Sequence, residues 1–179
     1  MVQEANLVRT ENGLEPEGEG WYVLNAREGR WYENDEFGGF VNFEGDVRFA
    51  QLGFNIAVLA PGQPACMYHG EEDQEAFLML AGEALLLVEG EERPLEQWDF
   101  FHCPPWTEHV IVGAGDGPCV FVAVGARTPG SNVVYPRADV ALRHGAGVEE
   151  ETDSGEVAYA GVSEPEARGY REGDLPGWE

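Results

Sequence analysis

Two histidines and several carboxylates are spaced so that they could hold one metal ion. The first segment is His69-Gly70-Glu71-Glu72-Asp73-Gln74-Glu75, with Gly82 beyond it. The second runs Trp98-Asp99-Phe100-Phe101-His102-Cys103-Pro104-Pro105-Trp106-Thr107-Glu108-His109. In a strand, residues i and i+2 share a face, so His69 and Glu71 point together and Tyr68 points away. Glu75 opens the next apolar run after an acidic turn and can return to the same centre. His109 opens a run after the Pro104-Pro105 turn. The expected ligand set is therefore His69, Glu71, Glu75 and His109. Imidazole with carboxylate suits Fe(II), Mn(II), Ni(II) or Zn(II). Two neutral imidazoles and two carboxylates balance a divalent charge, which lowers the cost of burying it. Four ligands on an octahedral ion leave room for water or a bidentate substrate. Glu71 also belongs to an acidic run that reads as a solvated face, and Gln74 is the reserve ligand. Glu71 and His102 are the candidate catalytic acid or base. Phe77, Met79, Trp106 and Ile111 are the expected pocket residues. Cys66 and Cys103 read as packing residues, since a reactive thiolate wants an electropositive setting.

The elements that position these residues are strands. Trp21–Leu24 and Gly39–Phe43 are short aromatic runs. Leu52 to Leu59 is an apolar strand, and Pro61-Gly62-Gln63-Pro64 turns the chain. Further strands are expected over Ala65–His69, Glu75–Leu80, Ala84–Val88, Gln97–Cys103, His109–Val112 and Cys119–Val124. Pro104-Pro105 ends one of them, because proline has no N–H for the ladder. Short strands at a spacing of roughly 8–12 residues, with turn chemistry between them, predict an all-β sandwich or barrel. One short helix is expected over Pro136–Arg143. Residues 1–20 read as a flexible acidic arm, 21–135 as the barrel with its core motifs over 50–125, and 136–179 as the short helix and an acidic Gly- and Pro-rich tail carrying Tyr159, Tyr170 and Trp178.

Composition narrows the function. The chain has 179 residues, 43% hydrophobic and 11% aromatic, enough for one folded core. Net charge is −24, from 34 acids against 10 basic residues, and every basic residue is Arg. That field repels phosphate backbones and anionic lipid, so neither nucleic acid nor a membrane surface is an expected partner. The acidity fits either a salty cytoplasm or a genome that favours Glu and Arg over Lys. No run approaches the ~20 apolar residues of a membrane span, and the N-terminus lacks a signal-like basic and apolar pattern. Cys66, Cys103 and Cys119 are an odd number without paired spacing. Buried thiols in a reducing, cytoplasmic setting are expected.

The two segments resemble the motifs of the cupin superfamily. Gly62, His69, Glu71, Glu75 and Gly82 stand where its first motif has Gly, two His, Glu and Gly. Trp98-Asp99, Pro104-Pro105-Trp106 and His109 stand where its second has Gly-Asp, Pro-x-Gly and His. Here Glu71 replaces the second His, Trp98 and Trp106 replace glycines, and Gly113 replaces a terminal Asn. The resemblance covers roughly residues 50–125. It implies a single small jelly-roll barrel with the metal at its centre, and a homodimer. It implies action on a small organic molecule, by dioxygenase-like or isomerase-like chemistry, or a non-catalytic binding or sensing role.

Overall fold

The computed structural model describes residues 1–176, so Trp178 lies outside the described residues. In chain order, β1 (Asn6–Thr10), β2 (Gly13–Glu17), β3 (Arg30–Asn34), β4 (Gly38–Asn42) and β5 (Leu52–Leu59) come first. Then follow β6 (Gly70–Glu71), β7 (Glu75–Ala81), β8 (Glu83–Val88), β9 (Glu91–Leu95), β10 (Phe100–Cys103), β11 (His109–Ala114) and β12 (Cys119–Ala126). The chain closes with β13 (Val133–Val134), α1 (Asp139–Arg143), α2 (Gly155–Ala158) and β14 (Glu166–Arg168).

Two sheets carry the architecture, a jelly roll. The larger has seven strands in the order β10-β7-β12-β5-β4-β3-β14, and the smaller has the order β11-β8-β9. Their inner faces supply one buried cluster, with Leu59, Phe77, Met79 and Phe121 from the larger sheet against Leu86 and Ile111 from the smaller. The pleat explains the choice: Phe77 and Met79 alternate with half-buried neighbours along β7, so both face inward. The outer face of the smaller sheet is also covered. Tyr68, Leu87, Val110 and Val112 pack against Val140 and Ala141 of α1. This is why β11 is buried on both faces.

Turns set the strand register. Glu89 and Gly90 both have positive φ (49° and 80°) and join β8 to β9, with Val88 opposite Glu91. That is the two-residue hairpin geometry whose twist matches the strands. Gly82 joins β7 to β8 at φ 73°, and a Cβ there would lie 2.6 Å from the Pro118 carbonyl oxygen.

Several expectations are corrected. Residues 1–20 are not a loose arm: β1 and β2 form a hairpin, with Asn6 opposite Glu17 and Thr10 opposite Gly13. Its turn is built by Thr10, whose hydroxyl accepts from the Asn12 amide and donates to the Gly13 carbonyl. Trp21–Leu24 makes only a single bridge, Glu4 to Trp21, and leaves Trp21 and Val23 exposed. Ala65–His69 is not a strand but a segment held by isolated bridges at Pro64 and His69. The tail is partly structured: β14 adds to β3, and Arg168 reaches both carboxylate oxygens of Asp174 at 2.7 and 2.9 Å.

Candidate metal centre

Glu75 begins β7, paired with Cys103 of β10 and Gly125 of β12, on the face that carries Phe77 and Met79. His109 begins β11 in the smaller sheet. His69 sits directly opposite it: the His109 amide donates to the His69 carbonyl at 2.8 Å, and the His69 amide returns the bond at 3.2 Å. One imidazole thus comes from the smaller sheet, the second from the segment that bridges its edge, and the carboxylate from the larger sheet.

Their donor atoms converge. Glu75 Oε2 lies 3.1 Å from His109 Nε2 and 3.8 Å from His69 Nε2. One ligand atom from each of the three residues lies within 4.8 Å of the others. The opposite ring nitrogens fix the tautomers. His69 Nδ1 is 2.8 Å from the Met67 carbonyl oxygen, and His109 Nδ1 is 3.0 Å from that of Thr107. A carbonyl only accepts, so each Nδ1 carries the proton and each Nε2 presents a lone pair. Glu75 Oε2 is itself buried without a hydrogen-bond partner. Three lone pairs facing one another repel unless a cation or a proton lies among them. The residues present therefore fit a divalent transition metal, with backbone carbonyls orienting both imidazoles.

The surroundings are apolar. Phe77 and Phe101 stack on each other and flank the His109 ring at 5.3 and 5.7 Å. Tyr135 lies 6.1 Å from the His69 ring. A thiol stands beside each imidazole: Cys66 Sγ is 3.7 Å from His69 Nδ1, and Cys103 Sγ is 3.4 Å from His109 Nδ1. Burial lowers the His69 pKa, and the neighbouring His109 lowers it further. For His109 burial also acts downward, but the contacts with Cys103 and Glu75 outweigh it and raise the pKa to about 10, so without an ion a proton on Nε2 bridges to Glu75, and a bound cation takes that proton's place. Burial pushes the Cys66 thiol up, helped by Glu75 and Glu71, which marks it as inert rather than nucleophilic.

Residues 55–125 match the family model of the cupin domain. This part of the chain is a cupin domain. Comparison with curated protein sequences gives no significant match. Among solved structures, a proposed sugar phosphate isomerase from Acidithiobacillus ferrooxidans is 27% identical over 48% of this chain and 56% of its own, with a TM-score of 0.46. The chain thus spans little more than half the length of that relative. A cupin-superfamily sugar phosphate isomerase from Silicibacter pomeroyi is 24% identical over 60% of this chain and 66% of its own, with a TM-score of 0.49. The polyketide cyclase RemF from Streptomyces resistomycificus is 13% identical over 62% of this chain and 83% of its own, with a TM-score of 0.52, a likeness of fold.

Around this cupin domain, the expected site residues fall into distinct groups. His69, Glu75 and His109 come together. Glu71 is not among the three: it lies half-buried on β6, opposite Val133. Burial, then the Glu75 and Asp73 charges, push its carboxyl up to about 7 against the opposing pull of His109. His102 is exposed on β10, on the opposite face from Phe101 and Cys103. The pleat that turns those two inward turns His102 out, so it cannot line this pocket. Phe77 and Ile111 line a cavity of about 240 Å³ at the metal group. Met79 is two residues further along β7 and fills the core instead, at 1% exposure. Trp106 is half exposed and does not narrow the pocket; its backbone amide donates to the Glu71 carbonyl at 2.6 Å. Both tryptophans at the motif's glycine positions keep left-handed backbone, Trp98 at φ 77° and Trp106 at φ 66°.

Sequence reasoning missed Tyr135, which lies in the segment just after β13, outside any motif. It also missed Phe37, in the turn between β3 and β4, and Phe40 of β4, which line the cavity at the metal group. Aromatic residues in strands are common, and only long-range packing distinguishes these from core.

Proposed function

We propose that this cupin binds one divalent transition metal through His69, Glu75 and His109 and uses it on a small organic molecule. One observation carries the reading: two imidazoles with their Nδ1 protons committed to carbonyls direct both Nε2 lone pairs toward a buried carboxylate oxygen without a hydrogen-bond partner. Two nitrogens and one carboxylate suit Fe(II), Mn(II), Ni(II) or Zn(II) and leave positions for substrate. When bound, such an ion supplies Lewis acidity for isomerase-like chemistry or, as iron, a centre for dioxygenase-like chemistry. The chain's residues do the rest. Phe77 and Phe101 flank the His109 ring and hold it in place. Glu71, within electrostatic reach of Glu75 and His109, is the proposed group for moving a substrate proton.

A homodimer and a cytoplasmic setting belong to the same proposal. The first is supported by β10, an edge strand of the larger sheet that exposes Phe100; a monomer mass in light scattering would remove it. The second is supported by three free cysteines.

The test is metal content in purified protein beside His109→Ala. About one transition metal per chain, lost in the variant, is the expected result. Iron would direct assays to oxygen uptake, and zinc or manganese to isomerisation. Protein that takes up no metal on reconstitution is a metal-free binding barrel, and the enzymatic reading falls.

A further inference from the structure

A second and larger cavity, of about 590 Å³, adjoins the one at the metal group. The two share Phe37, Phe40, Ala65 and Cys66 in their walls. The outer side is built by Tyr159, Val162 and Pro165, from the C-terminal segment beyond the matched residues 55–125. We propose that this cavity is the substrate chamber of the site, and that it admits an uncharged, largely apolar ring compound and rejects phosphorylated or carboxylated ones. The proposal rests on the metal-centre reading only for what happens at its inner end.

Charge argues for it first. The chain has ten basic residues, all Arg, and none of them lines either cavity. The charged residues that do are Glu75 in the inner cavity and Glu156 and Glu164 in the outer. In the outer cavity an anionic ligand would lose its hydration without a cationic partner and meet Glu156 and Glu164 instead.

The polar side chains argue for it next, because they are already committed to the fold. Asn34 accepts from the Glu36 and Phe37 amides and donates to the Ser163 carbonyl. The Ser163 hydroxyl donates to Glu36 at 3.3 Å. The Tyr159 hydroxyl accepts from the Met67 amide at 3.2 Å. What the chamber offers is aromatic surface: Phe37 packs edge-on to Tyr159 at 5.5 Å, and Phe40 stacks on Tyr32 at 5.4 Å. Recognition here comes from shape and apolar contact, as in most small-molecule sites.

The experiment measures binding of naphthol and of naphthyl phosphate to the full chain, metal-stripped and zinc-loaded, by saturation-transfer NMR titration. Naphthol is expected to bind, and the phosphate at least about tenfold more weakly. Val162→Trp fills the chamber without touching a metal-site residue and is expected to weaken naphthol about tenfold or more at unchanged metal content. The double substitution Glu156→Arg with Glu164→Arg, at two exposed positions, is expected to narrow the gap between the two probes. Naphthyl phosphate binding as tightly as naphthol, no naphthol binding, or unchanged binding in a folded Val162→Trp protein would overturn the proposal. Zinc stoichiometry on the same samples reports the metal-centre reading separately.

Discussion

His69 and His109 face each other as an antiparallel backbone pair, exchanging amide-to-carbonyl bonds at 2.8 and 3.2 Å with ring centroids 5.0 Å apart. The separation of the two imidazoles is thus set by a paired backbone bridge. Glu75 closes the set from the other sheet, so the donor group measures how the two sheets are stacked.

Replacing Glu75 by Gln keeps the side-chain shape but removes the charge. It also offers the two Nε2 lone pairs an amide N–H. Metal affinity is expected to fall by more than about tenfold, with the far-UV spectrum unchanged. Mass-spectrometric metal analysis after dialysis against a weak chelator checks this.

Tyr159→Phe removes the acceptor for the Met67 amide, whose residue also orients His69 through its carbonyl. Stability is expected to drop by about 1–2 kcal/mol for the unsatisfied amide. Metal affinity should fall only slightly, because the Met67 carbonyl remains. Urea unfolding and zinc titration separate the two effects, and a complete loss of zinc binding would contradict this division.

Gly82→Ala should cost about 2 kcal/mol or more. The residue has φ 73°, and the added Cβ would meet the Pro118 oxygen at 2.6 Å. Chemical denaturation gives the value, and a neutral result would mean that the β7–β8 turn is free to reshape.

Glu44 makes a bidentate pair with Arg127 at 2.5 and 2.9 Å and accepts from the Phe49 amide. The Arg127 hydrogen bonds hold the Glu44 carboxyl below its ordinary value of 4.5 although burial opposes them. A depressed folded-state pKa means that this stabilisation is present above the unfolded value and is lost as pH falls through the folded one. Glu44→Gln is therefore expected to destabilise by about 3 kcal/mol at pH 7, and by much less near pH 3. Urea midpoints of both proteins at the two pH values test the sign.

How much of this was legible in the sequence depends on the range of the interaction. Most strands from Leu52 to Ala126 follow from local alternation and turn chemistry; the exceptions are the strand expected from Gln97 that begins only at Phe100, β6 and β9, which were not expected, and Ala65–His69. That segment has a strand's composition, but it only bridges β11 at its two ends. The first twenty residues misled for the opposite reason: their acidity suggested a solvated arm, while Thr10 and Gly13 build a hairpin turn. Trp98 and Trp106 hold the positive φ that glycine takes without strain, a backbone feature that their residue type does not announce.

By itself the sequence determined the strand periodicity, the acidic field, and the identity of His69, Glu75 and His109 as residues able to ligate. These are properties of residue type and near-neighbour spacing. Only the tertiary structure decided that Glu71 stands outside the three-donor group, that His102 points outward, and that Tyr135, Phe37 and Tyr159 border the site. Those outcomes depend on which strands become neighbours and how the two sheets stack. They are fixed by burial summed over the whole core, which no local window of sequence contains.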